Sequence, residues 1–376
     1  MRSWRARQHW PSWVSRQRQP DMADLNALVI GPTGAIGSAL VQALDGAGGW
    51  GILGMSRTAP SQGARFRHLA ADLMDADTIR SALADAPPVT HVFYAARAPH
   101  GEGGVENVDG NLAMLANVVE AVQGPTLQHV HLVEGTKWYG VHLGPHRTPA
   151  REDDPRHMPP NFYYDQEDYL ISAQRGQAWS WSSCRPNVVC DFAPERARNL
   201  TTVIGAWGAI CRELGVPFDF PGTAVGFDSL TEVTDAAHLA NAIIWLSTQP
   251  GGANRAFNIT NGDAFRWRYM WPKLANMLDL PCGEPRDIRL ADWMADKGPV
   301  WDRITARHGL DPRPLERVAL WAFGDFVFRQ DWDLLSDLTR LRQTGFAGSV
   351  DTSQMFSDHF AAYRKVRILP TPGVTA

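Results

Sequence analysis

A tyrosine hydroxyl and a lysine ammonium are a common pair for stabilising an oxygen on which negative charge builds. The segment NFYYDQED, residues 161–168, offers two adjacent tyrosines for such work. A cation borne on the same helix would follow one turn later, four residues on. Those positions hold Glu167 after Tyr163 and Asp168 after Tyr164. Either the tyrosines do no chemistry or the positive charge comes from another element. The chain has only four lysines, at 137, 273, 297 and 365. Lys137 lies in HVHLVEGTKWYG, just past an apolar strand-like run, where open parallel sheets present their ligand crevice. From there it can reach a tyrosine at the start of the next helix through space.

A second group of residues is suited to phosphate. VIGPTGAIGSAL places Gly31, Gly34 and Gly37 at three-residue intervals between a strand and a helix. The first permits a tight turn, the second a close approach of pyrophosphate to backbone, and the third close packing of helix on sheet. Helix-start amides, with Thr33, Ala35 and Ile36 in the turn, then face the phosphates. The second strand ends Ser56–Arg57 with no carboxylate. An acid there would bind the ribose 2′-hydroxyl of NAD; serine and arginine suit the extra phosphate of NADPH. Asp72 follows the third strand, where its carboxylate would either accept from the adenine amino group or close a turn. Leu73 beside it, and Tyr94 and Ala95 at the end of the fourth strand, complete the expected cofactor contacts.

These groups need a scaffold, and the pattern supplies one. Short apolar runs at 27–31, 51–56, 66–72, 91–96 and 129–135, and one within 179–190, alternate with helix-period segments such as 110–124. This predicts an α/β fold, a Rossmann-type doubly wound parallel sheet. The expected boundaries are a disordered leader over 1–22, an NADP-binding domain over 23–190, and a mostly substrate-binding mixed cap over 191–376. Some cap segments return to the sheet: 235–248 and 267–280 read as helices and 255–260 as a strand. The cap is expected to share its core with the sheet. The first 20 residues carry five arginines and no acid, so an over-extended start and a transit segment are the readings for the leader.

Composition narrows the partners. With 376 residues, 44% hydrophobic content and a formal charge of −4, the chain favours a small-molecule ligand over nucleic acid or anionic lipid. No apolar run nears the roughly 20 residues of a membrane helix, and the four cysteines form no C-x-x-C pair, so a cytoplasmic protein with reduced thiols is expected. The histidines and cysteines show no metal-ligand spacing, and no metal is expected. The absence of G-x-S-x-G argues against a hydrolase.

EGTKWYG and NFYYDQED together resemble the signature of the progesterone 5β-reductase/iridoid synthase-like (PRISE) enone reductases, atypical extended short-chain dehydrogenases/reductases. The similarity extends through THVFYAARAP, AFNITNGDAFRWRYMWPKLA, GPVWDRI, WAFGD and TGFAG. It implies Lys137 and Tyr163 as the catalytic pair, NADPH as cofactor and the carbon–carbon double bond of an enone or enal as the group reduced. It also implies that Pro186, Asn187, Val188 and Val189 meet the nicotinamide amide. Phe162, Tyr164, Trp138 and Phe346 are expected to wall an apolar pocket. Two departures stand out. Glu134–Gly135 replaces Thr–Gly, and Arg97 replaces an aromatic that often faces substrate, so Arg97 either meets a more polar or anionic substrate or is an ion-paired surface residue. Glu167 and Asp168 are read as solvated or capping groups. A carbonyl reductase or sugar-nucleotide epimerase on the same fold, and an NADP-sensing regulator without turnover, remain as alternatives. A monomer or homodimer is expected.

Overall fold

The computed structural model describes residues 25–60, 63–99 and 105–373; the proposed leader lies outside them. The first half builds β1 (Leu25–Ile30), α1 (Ala35–Ala47), β2 (Trp50–Ser56), β3 (Arg67–Ala70), α2 (Ala76–Leu83), β4 (His91–Tyr94), α3 (Val108–Val122), β5 (His129–Val133), α4 (Phe162–Gln174) and β6 (Ser180–Pro186). These six strands and the later strand Arg255–Ile259 form one parallel sheet, ordered Arg255–Ile259, β6, β5, β4, β1, β2, β3. Winding reverses between β1 and β4, and a crevice opens there beyond the carboxyl ends of the strands.

The central strands are apolar runs because helices cover both faces. On one face Leu28, Ile30, Met55, Val92 and Tyr94 pack with Leu115, Val118 and Leu170 of α3 and α4. On the other, Val29, Phe93 and Ile259 pack with Leu40 and Leu44 of α1 and with Leu239 and Ile243 of the helix Ala236–Thr248. Two buried histidines interrupt β5. His129 and His131 pair in register with Ser180 and Ser182 of β6, and their ring nitrogens meet those hydroxyls at 2.7–2.8 Å. Burial pushes the His131 imidazole down to about 3, so it is a neutral hydrogen-bonding group.

The second half does not share its whole core with the sheet, as the sequence suggested. The helix α5 (Leu200–Leu214), the helix Trp267–Met277 and the aromatics Phe218, Phe220, Trp301, Phe328 and Phe360 form a separate buried cluster running from Cys190 to Leu369. Only the helix Ala236–Thr248, the strand Arg255–Ile259 and a few residues near Leu341 join the sheet's own core.

Candidate active site

At the crevice the chain leaves β1 through Gly31, whose φ of +78° favours glycine. A Cβ on Gly31 would lie 3.2 Å from the carbonyl oxygen of Ala95, so the turn rests against the exit of β4. A Cβ on Gly37 would collide with the Gly31 carbonyl, which is why the third glycine of the motif is required. Gly34 caps α1 with no side-chain bond, and α1 has no acid in its first turn. The first amides, those of Ala35 and Ile36 among them, thus face the crevice without a competing carboxylate. Arg196 reaches across from the second half to donate to the Thr33 carbonyl at 2.7 Å and pairs with Asp191. A glycine cradle, a 13-residue helix with no side-chain cap and an arginine at its mouth fit a pyrophosphate.

Farther along the crevice, Ser56 donates to the Thr58 carbonyl at 3.0 Å, and its hydroxyl lies 3.1 Å from His68. Arg57 is exposed beside it. Asp72 closes a turn by accepting from the Met74 amide at 3.0 Å, and Leu73 is buried. The Tyr94 ring is fully buried among the α3-side residues, so its backbone, with that of Ala95, is what borders the crevice.

Lys137 and Tyr163 stand on different elements joined by one buried amide. Lys137 lies in the 3₁₀ turn Thr136–Tyr139 that follows β5. Tyr163 begins α4, whose cap is the fully buried Asn161. The Asn161 Oδ1 accepts from the Tyr163 amide at 3.2 Å, while Nδ2 donates to the Lys137 carbonyl at 3.1 Å. The Lys137 ammonium pairs with Glu106, whose other oxygen accepts from the Phe162 amide at 3.4 Å. The Tyr163 hydroxyl points at Gly135: a Cβ there would lie 3.3 Å from it and 3.5 Å from the Pro186 carbonyl oxygen. Burial pushes the Tyr163 phenol well above its ordinary value, partly opposed by the nearby charge of Arg97. The phenol is therefore neutral and able to donate near pH 7.

The acid that occupies the lysine's usual place has a different role. Glu167 is buried rather than solvated, as the sequence had suggested, and accepts from Arg185 Nη2 at 2.8 Å. The same guanidinium donates to Glu134 at 2.9 Å, to the Tyr139 hydroxyl at 3.2 Å and to the Glu152 carbonyl at 3.0 Å. It stacks 3.6 Å above the Trp138 ring. Asp168 is exposed and pairs with Arg156. Burial, with Glu167 close by, pushes the Glu134 carboxyl up to about 8, against the opposing pull of Arg185. The 3₁₀ turn, α4 and β6 are thus bound together beneath the site.

A profile of the PRISE-like Rossmann-fold domain matches residues 68–370. The chain belongs to the PRISE-like family. It is an oxidoreductase family within the extended short-chain dehydrogenases/reductases. This PRISE-like chain is similar to an (S)-8-oxocitronellyl enol synthase of Nepeta racemosa, 34% identical and covering 88% of each chain. It is also 32% identical to a 3-oxo-Δ4,5-steroid 5β-reductase of Arabidopsis thaliana, over 92% of this chain and 93% of that one. The fold matches a UDP-glucose 4-epimerase from Thermotoga maritima with a TM-score of 0.63 at 14% identity, covering 91% and 99% of the two chains.

Several expected pocket walls of the PRISE-like chain lie elsewhere. Tyr164 donates to the Trp138 carbonyl at 2.6 Å and accepts from the His157 amide at 3.1 Å. Tyr164 and Trp138 are buried together behind Tyr163, with Tyr139, Val141, Ala150 and Leu334, so they support the site and do not wall it. Phe162 is buried, its ring 4.3 Å from that of Tyr163. Phe346 packs against His238 and Trp245 in the α1-side core and is absent from the site. A cleft of about 330 Å³ opens beside Trp332, between His142 and the helix Trp321–Phe328, and takes in Arg289 and Arg329 but neither Lys137 nor Tyr163. Val188 has its amide bonded to Asn187 and its carbonyl to the Thr234 amide, and Val189 is half-buried against the α1-side core. Among the described residues no helix is long and apolar enough to cross a membrane.

Of the residues that assemble the site, the sequence reading missed Asn161, Glu106, Arg185 and Arg196. Asn161 alone carried a local signal, since asparagine before a helix start is a preferred cap. The others act over long sequence separations.

Proposed function

We propose that the chain reduces the carbon–carbon double bond of an activated enone or enal with NADPH. The observation that carries this reading is the Asn161 bridge, which ties the backbone of Lys137 to the first turn of Tyr163. The similarity to an (S)-8-oxocitronellyl enol synthase and a steroid 5β-reductase supports the same chemistry. Ser56 and Arg57, in place of an acid at the end of β2, favour the 2′-phosphate of NADPH over NADH. Pro186 and its neighbours at the end of β6 border the place of the nicotinamide, as Asp72 and Leu73 border that of adenine.

NADPH, when bound, supplies hydride to the β-carbon of the unsaturated carbonyl. The chain's own task is the negative charge that this leaves on the carbonyl oxygen. Tyr163 donates a hydrogen bond to that oxygen, and the donor is worth most where charge is greatest, in the transition state. Lys137, fixed by Glu106 through its ammonium and by Asn161 through its carbonyl, adds positive potential and a donor for the nicotinamide ribose.

The test is NADPH oxidation against simple enones, steroid enones and conjugated dialdehydes, with product analysis, repeated for Tyr163→Phe and Lys137→Ala. Saturated carbonyl products are expected, with kcat lower by about 10²–10³ in Tyr163→Phe and NADPH affinity retained. Alcohol products would point to carbonyl reduction instead. Tight NADPH binding with no consumption across the panel would make the chain a cofactor sensor and sink the proposal.

A further inference from the structure

One buried guanidinium touches every segment that carries the Lys137–Tyr163 pair. Arg185 lies on β6 and is 1% exposed. Each of its three nitrogens donates to a different stretch of chain. Nε donates to Glu134 at 2.9 Å and Nη2 to Glu167 at 2.8 Å. Nη1 donates to the Tyr139 hydroxyl at 3.2 Å and to the Glu152 carbonyl at 3.0 Å.

These acceptors sit next to the groups of the site. Glu134 directly precedes Gly135, the residue that the Tyr163 hydroxyl faces. Tyr139 shares the 3₁₀ turn with Lys137, and between them Trp138 lays its ring 3.6 Å from the guanidinium. Glu167 follows Tyr163 by one turn of α4, on the same face of the helix. The far side of the frame is closed by the strand Arg255–Ile259, in which Asn258 stands in register with Arg185. The Tyr139 hydroxyl donates to Asn258 Oδ1 at 2.7 Å, and the Asn258 amide donates to Glu152 Oε1 at 2.9 Å.

Stability is a weak reason for so many polar contacts to converge at a buried point, because well-packed apolar side chains of similar volume often serve as well or better. Placement is a stronger one. A planar guanidinium fixes its acceptors in a set geometry, whereas an ammonium is a point charge that cannot reach acceptors on four segments at once. Two of the acceptors flank the pair on one side of the frame and one is on the tyrosine's own helix. A shift of α4 along β6 therefore breaks the Glu167 bond before it moves Tyr163 away from Gly135.

We infer that Arg185 is a positioning residue for the Lys137–Tyr163 pair, holding the 3₁₀ turn through Tyr139 and Glu134 and holding α4 through Glu167. This rests on the reductase reading above for the task of the pair and adds the group that sets its geometry. The acid found one turn after Tyr163 then has a definite use: it gives α4 a handle on the sheet. The other oxygen of Glu167 accepts from Arg156 at 3.1 Å, so the outer side of the handle is held as well.

The experiment compares wild type with Arg185→Lys, Arg185→Met and Arg185→Met/Glu167→Gln in the full chain. It measures melting temperature, calorimetric NADP⁺ affinity, turnover of the enone panel, the isotope effect on kcat with NADPH dideuterated at C4, and amide hydrogen exchange by segment. Arg185→Met alone leaves a Glu167 oxygen without its partner and should lower the melting temperature. The double variant removes that charge and should recover most of the loss. Its kcat, and that of Arg185→Lys, should stay lower by at least about tenfold, with a larger isotope effect as hydride transfer becomes limiting. NADP⁺ affinity should stay near wild type, because the glycine cradle at Gly31–Gly37 lies outside the frame. Exchange should rise over residues 134–139 and 162–167 ahead of the remaining sheet.

Recovery of kcat together with melting temperature in the double variant would overturn the inference and leave Arg185 a structural group. Unchanged exchange in both segments would overturn it too. A wild type that reduces no member of the panel would sink the reductase reading by itself, and the exchange result would still decide whether Arg185 places the two segments.

Discussion

The Tyr163 hydroxyl faces the backbone of Gly135, which has no side chain to crowd it. Its backbone is extended, with φ of −179°, so any residue fits the conformation; the space is what requires glycine. Gly135→Ala would put a methyl 3.3 Å from the hydroxyl and force it aside. A shift of that size is expected to lower kcat about tenfold while leaving cofactor affinity near wild type. Steady-state turnover beside an NADPH titration checks this, and unchanged kcat would mean the hydroxyl is not where the chemistry needs it. The neighbouring tyrosine shows the contrast. Tyr164 has both hydrogen-bonding roles of its hydroxyl filled, so only Tyr163 is left with a hydroxyl available to substrate.

At the scale of elements, the arrangement depends on how α4 starts. Asn161 does two jobs with one side chain: it caps the helix and it holds the 3₁₀ turn that carries Lys137. Asn161→Ala should cost about 1–2 kcal/mol of stability and also lower kcat. Asn161→Ser keeps a capping oxygen but is too short to reach the Lys137 carbonyl, so stability should largely return while turnover stays low. Chemical denaturation paired with kinetics separates the two; recovery of both by serine would show that capping alone matters. Much of this level was legible in the sequence. The glycine spacing between a strand and a helix fixed the phosphate turn, and the scarcity of lysine drew attention to Lys137. What was not legible is how distant segments meet. Glu167 looked solvated because its partner, Arg185, is on β6, beyond the end of its own helix. Phe346 looked like a pocket wall because local sequence does not reveal which sheet face an aromatic covers.

Across the whole molecule, the sheet and the second half each have an apolar core, and Arg196 crosses between them to the Thr33 carbonyl. Within the sheet half Arg185 is fully buried, with Glu134, Glu167 and Tyr139 around it. Burial raises the Glu134 carboxyl from 4.5 to about 8 in the native state. Between those limits the folded chain holds a proton that the unfolded chain has released, so stability falls as pH rises through the window. Glu134→Gln removes that titration. Relative to wild type, its stability should rise with pH between about 4.5 and 8, by at most about 1.4 kcal/mol per unit. Thermal melts across that range check it, and a constant difference would mean that Glu134 is ionised throughout. The separation of Lys137 from Tyr163 has one more consequence. When a cation and a phenol share a helix, the pitch dictates four residues and no others. Here a carboxamide sets their spacing, so the exposed turn at Leu143 and Pro145 in the stretch between them can lengthen without moving either group. The entropic cost of a longer loop grows only slowly, by about 0.6 kcal/mol per doubling. That turn can thus diversify independently of the pair it separates in sequence.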